Sequence, residues 1–348
     1  MKGISAVIPC YLLMFAVNFP GMVINHEYAL DHFSAQIDFA LNHYEAHGYR
    51  FTDFHNVVIG GLGGSGIGGR LSKLAVYTVS PIPVEVYSEY SLPAYAGRHT
   101  LVILCSYSGN TEETLAMYED ARRRGCAIIC MAAGGTLREW ALRDGLTCYT
   151  IEGGYQPRMA LGYGFSYQLL ILSELFGLDM PRQLSEASRR MKEEKQVLKA
   201  KADALFQFFK PSIENKFVVV CDLVFEAAAI RFCQQIQENA KGEAFVHVLP
   251  EANHNVIESY YNQRDTNFVM LNSGLNARTN IRFDFLSGIL TEQKNRVYKY
   301  EVSHFDLWAL FEFIHVTDWL SIHASNAKGE NNMEVGIIMR LKKHLEEA

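Results

Sequence analysis

Apolar positions begin to recur near Glu27, where Ala29, Leu30, Phe33, Ile37, Phe39, Ala40 and Leu41 follow helical intervals as far as His47 and predict one long amphipathic helix. A different rhythm follows. Asn56-Val57-Val58-Ile59 is a short β-branched run of buried-strand type, and runs near 83–87, 100–105, 126–131 and 147–151 predict further strands. Helical spacing separates them, at Arg70 to Val76, after a second loop near residue 110, and near 136–143. Strands and helices alternating in this way predict a parallel sheet covered by helices on both faces and joined by right-handed crossovers. Leu161 to Phe176 reads as an apolar helix, and Leu184 to Phe209 as a charged amphipathic one that connects two domains and is broken by Pro211. Lys216 to Cys221 then opens a second series, with strands near 244–248, 267–271, 280–284 and 296–301. The second half repeats the order of the first. The pattern predicts an internal duplication in the α/β class, two tandem doubly wound parallel-sheet subdomains of flavodoxin-like type. Helical spacing returns from Phe225 to Ala240 and from Val335 to Leu345.

Two strand-to-helix junctions carry the chemistry. Gly60 to Gly69 reads GGLGGSGIGG between a strand and a helix, so backbone N–H groups can approach a ligand closely and Ser65 supplies a hydroxyl at the helix start. The segment also fits GxGxxG, a weak sign of a dinucleotide site, and glycines here could serve tight strand-to-helix packing alone. Thr100 to Cys105 runs into Ser106-Tyr107-Ser108-Gly109-Asn110-Thr111-Glu112-Glu113-Thr114. Three hydroxyls, from Ser106, Ser108 and Thr111, converge with helix N–H groups at this turn. Helix capping needs one hydroxyl, not three. Neither loop contains GxxxxGK[ST], and no acidic residue ends a strand where a ribose would need it. A phosphomonoester held without a metal or cofactor fits better, with Gly64, Ser65, Ser106, Tyr107, Ser108 and Thr111 as its expected contacts. Where the first copy has its glycine loop, the second has Asp222-Leu223-Val224-Phe225-Glu226-Ala227, and Asn272-Ser273-Gly274 only faintly echoes the serine loop. One half alone is expected to bind phosphate.

The pair GGLGGSGIGG and SYSGNTEET resembles the sugar isomerase (SIS) domain, a phosphosugar-binding α/β module. Gln156-Pro157-Arg158, Gln237-Glu238-Asn239-Ala240-Lys241 and Pro250-Glu251-Ala252-Asn253-His254-Asn255, in that order, resemble its bifunctional phosphoglucose/phosphomannose isomerase branch. The resemblance covers roughly residues 25 to 348 and implies interconversion of glucose 6-phosphate, and of mannose 6-phosphate, with fructose 6-phosphate. Such a reaction needs a base to move a proton between C1 and C2, an acid/base to open the ring, and a cation to hold the enediolate charge. The resemblance places the base at Glu238, which as a lone helix carboxylate would otherwise read as a solvated one. His254 suits ring opening, since imidazole titrates near neutrality and its polar neighbours can fix the tautomer. In the family this residue reaches the neighbouring subunit's site, which implies a homodimer with shared active sites. Arg158 offers a fork of donors to a planar anion, with a structural salt bridge as its alternative. The resemblance also carries a catalytic-site lysine onto Lys342, with Lys343 adjacent; here Asn331-Asn332-Met333-Glu334 departs from the family's proline-containing turn. His247 and His304 read as ordinary strand and turn residues.

At 348 residues the chain can bury two cores, and the resulting division is an N-terminal tail over 1–24, a phosphosugar-binding domain over 25–180, a helical connector over 181–210 and a second, degenerate domain over 211–348. A formal net charge of −6 gives no basic footprint for nucleic acid. Seven cysteines, several inside apolar strand-like runs, read as reduced core residues of a cytoplasmic protein, and Cys126 and Cys130 lack the nearby histidines a metal site would want. The first twenty-one residues, MKGISAVIPCYLLMFAVNFPG, admit a signal peptide, an upstream extension before a start at Met22, or an apolar segment packed on the body or on a partner. Their internal proline falls short of a membrane span. Two further functions compete with isomerisation: a non-catalytic sugar-phosphate sensor, and an isomerase or deaminase of amino-sugar phosphates. A sensor needs neither Glu238 nor His254, and an amidotransferase needs a glutamine-hydrolysing domain with an N-terminal nucleophile.

Overall fold

The computed structural model describes residues 24–347, so the alternatives for residues 1–21 lie outside the described residues. Two compact units divide the chain, Met1–Met180 and Pro181–Ala348. In the first, the expected single N-terminal helix is two, α1 (His26–Asp31) and α2 (Phe33–His43). His32 leaves helical geometry at φ −113°, ψ 17°, with its Nδ1 2.8 Å from the Tyr28 carbonyl. The helix also stops short of His47. Glu174 takes hydrogen bonds from Tyr44 Oη (2.6 Å), His47 N (3.0 Å) and Gly48 N (2.7 Å), and these tertiary bonds replace the helical ones.

Next come β1 (Asn56–Gly60), α3 (Gly63–Ala75), β2 (Val84–Tyr87), β3 (Thr100–Cys105), α4 (Glu112–Arg124), β4 (Ala127–Ala132), α5 (Gly135–Arg143), β5 (Thr147–Thr150) and α6 (Leu161–Phe176). The strands form one parallel sheet ordered β2-β1-β3-β4-β5. β1 is flanked by β2 and β3, with Gly60 opposite Tyr87 and Leu104, so the chain winds outward in both directions from this pair. A crevice therefore opens beyond the carboxyl ends of β1 and β3, where both candidate loops lie. Val58, Val102, Leu104, Met117, Tyr118, Ile128 and Leu137 fill the core under one face. α3 and α6 pack on one another, and α2 packs on α6.

The expected connector is also two helices, α7 (Met180–Glu193) and α8 (Lys195–Phe209), parted at Glu194 (φ −95°, ψ 11°). The second unit continues with β6 (Lys216–Asp222), α9 (Glu226–Asn239), β7 (Ala244–Leu249), β8 (Thr266–Leu271), α10 (Ala277–Glu292), β9 (Arg296–Tyr300), α11 (Leu307–Lys328) and α12 (Gly336–Glu346). Its parallel sheet runs β7-β6-β8-β9, the order of the first four strands of the other unit, and both sheets belong to the doubly wound class that the pattern predicted.

Residues 280–284 overturn an expectation. They alternate like a strand, yet they lie inside α10, because Asn276 caps that helix by accepting from Arg278 N (3.0 Å) and Thr279 N (3.1 Å). Phe283, Leu286 and Leu290 are then buried at helical spacing while Ile281 and Phe285 face solvent. No periodic pattern in the sequence marks α11. This 22-residue helix is buried almost all round, so it has no polar face to mark its period. Among the described residues no helix is long and apolar enough to cross a membrane.

Candidate functional site

β1 and β3 deliver the two loops to one place. α3 starts at Gly63 directly after the strand, and its first turn leaves N–H groups without helical partners. Tyr107 N donates to Ser65 Oγ (3.2 Å), which ties the serine loop to the glycine loop. Ser106 is buried, its Oγ 2.9 Å from Thr111 Oγ1 and accepting from Gly109 N (3.2 Å), while Ser108 is exposed and accepts from Asn110 N (3.2 Å). Gly109 has φ +71°, and a Cβ there would stand 1.8 Å from the Gly134 carbonyl, so the turn admits glycine alone.

The segment Gln156–Arg158 closes on the same cleft. Pro157–Met159 forms a short 3-10 turn, and a Cβ on Gly64 would fall 2.7 Å from the Pro157 carbonyl. Glycine at 64 thus lets the backbone beside Arg158 lie against the glycine loop. Arg158 is 5% exposed. Two residues that the sequence reading missed hold this turn. Buried Gln36 donates Nε2–H to Met159 O (2.8 Å) and accepts from Gly162 N (3.0 Å), clamping both sides of it. Tyr107 Oη donates to Glu152 O (2.9 Å) and accepts from Tyr155 N (2.8 Å), fixing the approach to it from β5. No signal in the sequence marks Gln36, which sits among the apolar residues of an amphipathic helix. The cleft is lined by Gly64, Ser65, Cys105, Tyr107, Pro157 and Leu161, among others. Burial pushes the Cys105 thiol up to about 11, against the lowering effect of its hydrogen bond with Ser65, so it is an uncharged wall near neutrality.

In the second unit Glu238 lies in the last turn of α9, half-buried, and its neighbour Asn239 donates to Ser321 Oγ on α11 (2.9 Å). Arg231, about two turns earlier on the same helix, pairs with Asp318 of α11 at 2.8 Å, both fully enclosed. His254 ends a 3-10 turn, Glu251–His254, on the loop after β7. It is exposed. The following Asn255 holds the loop through Glu251 Oε1 (3.0 Å) and Val256 N (2.6 Å). Lys342 and Lys343 are both exposed on α12, and Lys343 pairs with Glu347 at 3.7 Å. His247 lies within β7, where burial lowers its basicity, and His304 lies in the bend after β9. Among the described residues no group of three or more His, Cys, Asp or Glu is placed to hold a metal ion. The six described cysteines are free.

At the strand ends the second copy differs. Asp222 stands where the first has its glycine loop, and its carboxylate accepts from Ser273 Oγ and from Ser273 N (3.3 Å).

The chain matches two family models, one described as the SIS domain over residues 50–144 and one as the bacterial phospho-glucose isomerase C-terminal SIS domain over 200–345. A bifunctional phosphoglucose/phosphomannose isomerase of Caldicellulosiruptor bescii is 36% identical over 316 residues, spanning 85% of this chain and 91% of that protein. One from Aquifex aeolicus is 31% identical over 306 residues, spanning 84% and 91%. Among solved structures, the C-terminal domain of glucosamine-fructose-6-phosphate aminotransferase from Francisella tularensis superposes with a TM-score of 0.71 at 13% identity, over 89% of this chain and 98% of that one.

Proposed function

Because the chain belongs to the bifunctional phosphoglucose/phosphomannose isomerase family, we propose that it interconverts glucose 6-phosphate and mannose 6-phosphate with fructose 6-phosphate through an enediolate, using its own side chains as acid and base. The observation that carries this reading is the joined pair of loops in the first unit, where Tyr107 N meets Ser65 Oγ beneath the Arg158 turn. Hydroxyls and helix N–H groups converging on one small volume suit a dianionic monoester.

In this reading the phosphate lies on Ser65, Ser106, Ser108 and Thr111 with the N–H of Gly64. The Tyr107 N–H, expected as a further donor, is engaged by Ser65 and contributes by fixing that hydroxyl. His254, from the partner chain of a homodimer, gives a proton to the ring oxygen and takes that of the anomeric hydroxyl as the ring opens. Glu238 then takes the C2 proton of the open aldose and returns it to C1 as the O2 hydroxyl proton passes to O1, while Arg158 and Lys342 balance the charge that develops on the enediolate oxygens. Arg158 suits this role because burial removes competing water around its guanidinium. The exposure of His254 is consistent with a residue whose working surroundings belong to a second chain.

Incubation with glucose 6-phosphate, mannose 6-phosphate and glucosamine 6-phosphate in turn, with products read by NMR, tests the assignment. Fructose 6-phosphate should form from the first two. Turnover of glucosamine 6-phosphate alone would move the assignment to amino sugars, and no turnover of any would favour a sensor.

A further inference from the structure

Lys241 has left-handed backbone geometry, φ +51°, which is uncommon for a residue with a Cβ. Its ammonium donates to three carbonyl oxygens: Glu238 O (2.6 Å), Asn331 O (3.1 Å) and Glu334 O (2.7 Å). The first closes the C-terminus of α9, where the last carbonyls have no helical partners and a positive charge is favoured. The other two belong to the turn that launches α12, itself closed by Glu334 N on Asn331 O (3.2 Å) and Met333 N on Asn331 Oδ1 (3.0 Å). One side chain therefore fastens the backbone of Glu238 to the start of the helix that carries Lys342. α12 has no buried residue of its own, and Ile337 is 83% exposed, so packing within the chain contributes little to holding it.

We propose that Lys241 is a positioning residue for the isomerisation, a three-way staple that sets Glu238 and α12 in one fixed arrangement. It touches neither substrate nor proton. The unusual φ is maintained because the left-handed turn aims the side chain back across the helix end, where three acceptors compensate for the strain. The ammonium holds the turn from outside, through Asn331 O and Glu334 O.

This inference rests on the role proposed for Glu238, and the test separates the two. Lys241→Gly suits the left-handed geometry and removes the ammonium, so the unit folds while the staple is lost. Lys241→Arg keeps several donors at a similar reach. With Lys241→Gly, amide hydrogen exchange across residues 331–345 should quicken about tenfold and kcat should fall about tenfold with KM within about threefold, since small misplacements of a catalytic group are costly. Lys241→Arg should restore most of both. Wild-type kcat in Lys241→Gly would overturn the proposal, as would unchanged exchange. An active Glu238→Gln enzyme would instead refute the role of Glu238, leaving the exchange measurement to decide the staple.

Discussion

Ser106 and Thr111 share one hydrogen bond, and two hydroxyls so joined keep one proton to offer outward. Ser108, exposed beside them, has its oxygen engaged by Asn110 N and its proton uncommitted by that bond. In the proposed site it faces the phosphate, while within the turn it makes one exposed hydrogen bond. Ser108→Ala should therefore weaken sugar-phosphate binding by about 1.5–3 kcal/mol, the range for a hydrogen bond to a charged group, while leaving thermal stability nearly unchanged. Titration calorimetry with a sugar phosphate checks this, and unchanged affinity would remove Ser108 from the site. These hydroxyls were legible in the sequence because three of them crowd one strand end. Gln36 and the Tyr107 ring were not, since their partners are backbone groups of residues 152–162, far along the chain, and no local pattern records such a meeting.

At the level of elements the instructive comparison is between the junction of β1 with α3 and that of β6 with α9. The first ends on glycines and hydroxyls; the second ends on Asp222, whose carboxylate is satisfied on one side by Ser273. Burial raises the folded-state pKa of Asp222 above its ordinary 3.8, against the lowering effect of the Ser273 hydrogen bonds. Between the ordinary value and the raised one, the folded unit holds a proton that the unfolded chain has lost. This contribution to stability is full at low pH and disappears as pH rises through the folded pKa. Asp222→Asn is neutral throughout, so the wild-type urea midpoint should fall relative to that of Asp222→Asn as pH rises from about 4 toward 7. A difference that stays constant with pH would contradict this account.

The central strands were legible because burial on both faces makes them continuous apolar runs, and the helices to the extent that each exposes one face. β1, β3, β6 and β8 could be read from their apolar runs, and α9 from its spacing. α11 hides among helices and shows no polar stripe, and the alternation in residues 280–284 arises because Ile281 and Phe285 are exposed on a helix that Asn276 starts. Two helices taken as continuous, over 27–47 and 184–209, are interrupted at His32 and Glu194, neither of them a proline or glycine. The end of α2 short of His47, set by tertiary bonds to Glu174, likewise leaves no mark in spacing.

For the whole molecule, duplication explains how one fold divides its labour. The first copy keeps the glycine and serine loops proposed to hold the phosphate; the second has Asp222 in place of the glycine loop and carries Glu238 and His254 on the elements that follow. If His254 serves the neighbouring chain, Glu238→Gln and His254→Ala proteins should each be inactive on cyclic substrate yet complement when mixed and allowed to exchange subunits. Random pairing makes half the dimers hybrid, each with one intact site, so activity should return to about a quarter of wild type. Mixtures that stay inactive despite proven exchange would place His254 in its own chain's site.

The central claim of the proposed mechanism is that Glu238 moves the C1–C2 proton. Its direct measurement is NMR detection of deuterium entering C2 of glucose 6-phosphate in D2O, with the wild-type enzyme beside Glu238→Gln. A carboxylate that lifts the C2 proton exchanges with solvent between abstraction and return, whereas a neutral amide cannot accept the proton. Wild type should label C2 and release labelled fructose 6-phosphate, and Glu238→Gln should do neither even when an open-chain substrate removes the need for ring opening. C2 labelling by Glu238→Gln at the wild-type rate would contradict the account.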